Sequence, residues 1–210
     1  MAKSQAIALR AALHLAALLP LAWLIWDYAQ GNLTANPIRE ITLRTGRISL
    51  VLLMLSLACT PLRTIFGVEY LQQLRKPLGL YAFFYASLHL LNIAGLDYGF
   101  DFGLLFGDVL AKQFALTGLV AYLLLLPLAV TATEGWASRL GARWTILHRL
   151  VYPAAALSVA HLFLEVKAGL TQPLVYGAVL AFLLVLRIPP ASRLAAAPRG
   201  WITRKRRKNS

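Results

Sequence analysis

The sequence predicts an all-α fold: a polytopic membrane helical bundle with six transmembrane helices and both termini cytoplasmic. Three observations predict it. The 210 residues are 59% hydrophobic and only 14% charged, with a mean hydropathy of +0.66, whereas soluble domains run nearer half apolar and a quarter charged. Uncharged runs recur at residues 11–26, 48–62, 77–96, 113–133, 150–164 and 168–186. Sixteen of the 21 lysines and arginines fall on alternate segments between those runs, which is the bias that orients helices in a bilayer. At roughly 20 residues per span, six helices leave little room for a soluble catalytic domain. The composition excludes a disordered chain and, despite a net charge of +13, a nucleic-acid-binding globule. The single cysteine, Cys59, excludes an internal disulfide and a Cys-rich metal cluster.

The first helix is expected at about 8–27. Its run ends in Trp23, Trp26 and Tyr28 and no small-x-small cleavage site follows, so an uncleaved span is expected rather than a signal peptide. Gly31 to Thr45 reads as a polar outer loop turned at Asn36–Pro37. The second helix, at about 43–60, is short, so Arg44 and Arg47 are expected to snorkel to the interface. A third helix at about 76–96 leads to an acidic outer loop, 97–112, carrying Asp97, Asp101 and Asp108. The fourth is placed at 114–133, the fifth at 146–165 with Arg149 snorkelling, and the sixth at 171–188. Residues 1–190 thus form one six-helix domain, and 191–210 a basic cytoplasmic tail. Its run from Arg199 to Lys208 reads as a topology anchor before a lipid or nucleic-acid site. No internal repeat, P-loop or GxGxxG is evident.

Polar groups inside a bilayer are expensive and usually functional, which directs attention to His14, His89, His148 and His161. His89 lies roughly 18 Å along the third helix and His161 roughly 22 Å along the fifth, at 1.5 Å per residue. Both helices run outward, so the two imidazoles reach similar depth. Two such groups can supply both axial ligands of a b-type haem, or each can hydrogen-bond a neighbouring helix. Neither span adds the carboxylate or thiolate that zinc would need, and no CxxCH is present for covalent haem attachment.

A second site is suggested nearer the inside. Arg75 stands 14 residues before His89 and shares its helix face to within about 40°. His148 stands 13 residues before His161, about 140° away on an ideal helix, with Pro153 between them to change that angle. His14 is either a partner for His148 or a hydrogen-bonding core residue. Arg63 and Arg75 are candidates for an anionic cofactor group or plain interface anchors. Ser87 and Ser158 are near the deeper histidines. Gly118 and Ala121 suit either close approach of a porphyrin or helix contact.

Several blocks carry a resemblance: HLAALLP from His14, NPIREITLRTGRISL and TPLR, LRKPLGLYAFFYASLHL from Leu74, then PLAVTA, LGARW and LHRLVYPAAALSVAHLFLEVK ending at Lys167. In their order and spacing the chain resembles the MsrQ (YedZ) family within the ferric-reductase-like transmembrane group. Ala132, where serine is expected, and AKQFALTG before the fourth helix depart from the family pattern. The resemblance implies a bacterial inner-membrane electron-transfer subunit without a methionine sulfoxide reductase site of its own. It implies haem b, one or two, with His89 and His161 ligating the haem iron and His148 the iron of a second haem. Arg75 and His148 would occupy the inner site, where related oxidases place a second haem and where FMN is also expected. Implied partners are the periplasmic molybdopterin subunit MsrP, a cytoplasmic flavin reductase or the quinone pool, and membrane lipid, with no nucleic acid. The rival readings are a ferric or quinol b-type oxidoreductase acting without MsrP, and a non-redox transporter or scaffold.

Overall fold

A computed structural model describes residues 3–166 and 169–187. The basic tail, residue 188 of the expected sixth helix and Lys167 lie outside the described residues. The described chain is helical from end to end. It runs through α1 (Lys3–Ala29), α2 (Pro37–Phe66), α3 (Leu71–Asn92) and a π-helical turn (Ile93–Asp97) to α4 (Phe102–Ala111) and α5 (Gln113–Val130). Two short helices, α6 (Glu134–Leu140) and α7 (Ala142–Leu147), a 3-10 turn (His148–Leu150), α8 (Val151–Glu165) and α9 (Thr171–Val185) follow.

Among the described residues, five stretches are long and apolar enough to cross a membrane: Ile7–Ala29, Pro37–Phe66, Leu71–Asp97, Gln113–Val130 and Ala142–Glu165. The sixth expected span coincides with α9, whose described length is 15 residues. Large apolar side chains such as Leu15, Trp23 and Phe182 are exposed around the bundle, as suits a surface solvated by lipid. The protein is a multi-pass membrane protein.

The outer loop expected to reach Thr45 ends instead at Asn36. Asn36 caps α2, its side-chain oxygen accepting from the Arg39 amide at 3.0 Å, and Pro37 takes the first turn, where a missing N–H costs nothing. Asn36–Pro37 is therefore a helix start, not a turn. Of the two arginines that made the second helix look short, Arg44 is paired with acids, whereas Arg47 only reaches the Gln172 side-chain oxygen at 3.4 Å. Arg44 donates to Asp27 at 2.5 Å and also to Glu40, and Asp27 is only 9% exposed. Arg44 is thus neutralised where it stands rather than snorkelling. At the other end, Gly67 closes α2 in the left-handed region (φ 63°), its N–H donating to the Arg63 carbonyl at 2.7 Å.

The expected acidic loop at 97–112 contains α4. Asp101 caps it by accepting from the Leu104 amide at 3.0 Å, and Asp108 accepts from Tyr98 at 2.7 Å and from Lys112. The aspartates thus start and pin a helix instead of marking irregular chain.

Half of the apolar window of α2 is buried, against 11% for α1 and α5, so α2 is the central helix. Its Leu53 and Leu57 meet Ala82 and Tyr85 of α3, Ala154 of α8 and Leu183 of α9 in one core cluster. Buried polar groups stitch the same helices. Ser49 Oγ donates to the Ala82 carbonyl and Ser56 Oγ to the Arg75 carbonyl, both at 2.8 Å, and Tyr85 OH donates to the Ala17 carbonyl at 2.7 Å. Each satisfies a hydroxyl that would otherwise be orphaned in an apolar medium.

Candidate functional site

His89 on α3 and His161 on α8 meet across the bundle, their ring centroids 6.2 Å apart and their planes 83° to one another. Each ring is held by a third helix. His89 Nδ1–H donates to the Thr42 carbonyl of α2 at 2.8 Å, and His161 Nδ1–H to the Phe114 carbonyl of α5 at 2.7 Å. A carbonyl only accepts, so each Nδ1 carries the proton and each neutral ring keeps its lone pair on Nε2. Neither Nε2 has a hydrogen-bond partner among the described residues.

Room for each ring comes from a glycine four residues after the accepting carbonyl. A Cβ at Gly46 would stand 2.9 Å from His89 Nδ1, and one at Gly118 would stand 2.8 Å from His161 Nδ1. The two arrangements are copies. Each histidine follows its accepting residue by 47 positions. Thr42, Gly46 and His89 are each matched 72 residues later by Phe114, Gly118 and His161. Ala82 and Ala154, with the same offset, are both fully buried. The repeat missing from the letters is present in the helix pairs α2–α3 and α5–α8.

No third His, Cys, Asp or Glu joins the pair into a metal-binding group among the described residues. Two imidazoles with free Nε2 atoms suit a metal whose other positions are filled by a macrocycle, not a site built wholly from protein ligands.

At the opposite end of the bundle, His148 Nδ1–H donates to the Trp144 carbonyl at 3.0 Å, and its ring stacks on Trp144 at 3.9 Å. His148 opens a 3-10 turn, His148–Leu150, so the stretch from His148 to His161 is not one ideal α-helix. Arg75 is within electrostatic reach of His148 and of Arg187. Arg187 reaches between helices, donating to Tyr152 OH at 2.7 Å and to the Leu57 carbonyl at 2.5 Å.

Residues 45–159 match the family model "Ferric reductase like transmembrane component". The chain is 46% identical over 185 residues to the "Protein-methionine-sulfoxide reductase heme-binding subunit MsrQ" of Rhodospirillum rubrum, covering 88% of this chain and 89% of that protein. Proteins of the same name from Caulobacter vibrioides (44% identity, 87% of each chain) and Deinococcus radiodurans (46%, 86% of this chain and 89% of that one) are similarly close. The chain belongs to the MsrQ family. No solved structure matches it.

In this MsrQ-family chain the other residues singled out from sequence are placed as follows. His14 Nδ1 lies 2.9 Å from Tyr81 OH, with the rings edge to face. Arg63 pairs with Glu69 at 3.3 Å on an exposed flank, apart from the Arg75–Arg187–His148 group. Ser87 and Ser158 do not hold the histidine rings. Ser87 donates to Phe83 O at 2.9 Å and lies 3.2 Å from Tyr122 OH, and Ser158 donates to Ala154 O at 2.8 Å. Gly118 makes space for an imidazole, and the buried Ala121 contributes to helix packing. Sequence reasoning missed Thr42, Gly46, Phe114 and Arg187. Gly46, a glycine inside the expected second helix although flanked by Thr45 and Arg47, was the one signal for close approach that the sequence carried among these four. The two carbonyls left no trace in side-chain identity, and Arg187 read only as a topology charge.

Proposed function

We propose that this chain is a membrane electron-transfer subunit that binds haem b between His89 and His161 and delivers electrons to the periplasmic molybdopterin enzyme MsrP. The observation that carries the reading is the pair of Nδ1-locked imidazoles presenting free Nε2 atoms at a separation of 6.2 Å between ring centroids. The names of the relatives, which are haem-binding subunits of a methionine sulfoxide reductase, support the same assignment. When bound, haem supplies a one-electron iron couple.

The protein's own part is positional. The carbonyls of Thr42 and Phe114 fix the tautomers, so both nitrogens are ready as ligands without a proton to lose. Gly46 and Gly118 let α2 and α5 close onto the rings. Were haem held by both His89 and His161, the pair would favour electron transfer over oxygen binding.

In this reading α9 completes six spans and both termini face the cytoplasm. The Arg75–His148 end is then cytoplasmic and holds an inner cofactor, a second haem or FMN, reduced by a flavin reductase or by quinol. The end bearing α4 faces the periplasmic partner.

The test is a reduced-minus-oxidised absorbance spectrum of the detergent-purified protein, with haem and flavin extracted and quantified against protein. A low-spin b-type spectrum lost in both His89→Ala and His161→Ala is expected. A colourless wild type expressed with ample haem, or unchanged haem content in either variant, overturns the assignment.

A further inference from the structure

Arg187 and Arg75 form a cationic pair for which no described residue provides a counter-ion. Both are anchored on consecutive residues of α2. Ser56 donates to the Arg75 carbonyl at 2.8 Å, and the Leu57 carbonyl accepts from Arg187 at 2.5 Å. The two guanidinium groups are within electrostatic reach of one another. The protein has eight acidic residues, all among those described, and none pairs with Arg75 or Arg187.

Donors are also left over. Among the described residues, Arg187 Nε is buried without a hydrogen-bond partner, and so is Thr60 Oγ1, one turn along α2 from Ser56 and Leu57. The Arg75 guanidinium makes no hydrogen bond among the described residues. Orphaned donors and unpaired like charges in a low-dielectric medium are each costly. A single anionic group placed against them satisfies both at once. The planar guanidinium fork matches phosphate and carboxylate oxygens.

We propose that Arg75 and Arg187, with Thr60, bind an oxyanion group, a phosphate or a carboxylate, carried by a cofactor seated at this end of the bundle. The proposal rests on the reading that this end holds a cofactor, and it adds Arg187 as the residue that selects for the acidic arm. Tyr152 keeps the Arg187 side chain in place, with the guanidinium 5.2 Å above its ring and hydrogen-bonded to its hydroxyl at 2.7 Å.

Two pairs of probes that differ only in the acidic group test this on the detergent-purified full chain. FMN and riboflavin differ by one phosphate and are titrated by flavin fluorescence. Haemin and its dimethyl ester differ in their carboxylates and are titrated by Soret absorbance. In the wild type the acidic member of one pair is expected to bind about 10- to 100-fold tighter than its neutral counterpart, the worth of a charged hydrogen bond. Preference in the first pair identifies phosphate, and in the second carboxylate. Arg187→Gln should erase the preference, Arg187→Lys should keep part of it, and Arg75→Gln provides a second variant should the first fail to fold. A wild type without preference in either pair, or an undiminished preference in Arg187→Gln and Arg75→Gln, overturns the proposal. The electron-transfer reading fails separately, through the absence of a His89- and His161-dependent low-spin spectrum.

Discussion

Gly118 and His161 approach so closely that a Cβ on the glycine would stand 2.8 Å from the ring nitrogen that is bonded to the Phe114 carbonyl. The same contact recurs at 2.9 Å between Gly46 and His89. Gly118→Ala and Gly46→Ala must therefore push an imidazole or a helix aside, at about 1–3 kcal/mol for overpacking. Each should lower haem occupancy and broaden or shift the low-spin bands while the chain still inserts and folds. Haem-to-protein ratio and the reduced spectrum measure this. Wild-type values for both variants would show that the close approach does not position the ligands.

Arg44 bridges Asp27 of α1 and Glu40 of α2, with its own side chain 33% exposed and those of the two acids 13% and 16%. Removing one partner leaves a poorly solvated charge. Arg44→Met is expected to destabilise by about 1–3 kcal/mol, below the range for a fully buried pair because water still reaches the guanidinium. Adding Asp27→Asn to Arg44→Met should recover part of that loss, since the stranded carboxylate is gone. Thermal unfolding in detergent reads both. A double variant less stable than the single one would mean that Asp27 is held by something other than Arg44.

The hydrogen bond from Lys112, followed by that from Tyr98, holds the Asp108 carboxyl below its ordinary range. A lowered folded-state value contributes stability above the unfolded pKa and loses it as pH falls through the folded one. Hydrogen-exchange protection of α4 should therefore stay flat from pH 8 to 5 and decline only below about pH 4. Asp108→Asn should remove that acid limb. A decline centred near pH 6 would instead implicate a histidine.

Trp144 stacks on His148 and donates its indole N–H to the Thr131 carbonyl at 2.9 Å. Trp144→Ala should free the His148 ring and reduce the inner cofactor severalfold, with the spectrum assigned to His89 and His161 intact. Trp144→Phe, which keeps a stacking face, should fall between. Equal inner-cofactor content in all three proteins would show that the stacking does not orient His148.

The spans were legible because membrane solvation writes itself into composition. Uncharged runs located all five long helices, and the depth of His89 and His161 followed from counting residues along them. The errors came where charge was read as a boundary. The expected second helix began too late, near Arg44, because that residue's partners, Asp27 at a distance of 17 residues and Glu40 at 4, become visible only once the helices pack. Asp101 and Asp108 suggested a loop, although a cap three residues before Leu104 was available to be read as a helix start.

The sequence by itself determined the class, the helical periodicity and which side chains could ligate, since these depend on residue identity and local spacing. Only the tertiary structure decided which backbone carbonyl faces each imidazole, which glycine clears its path and which arginines lack a counter-ion. Thr42 O and Phe114 O are groups that every residue possesses, so their role comes from the register in which α2 meets α3 and α5 meets α8. That register is set by packing across the whole bundle, around fully buried residues such as Ala82 and Ala154, and no short stretch of sequence contains it.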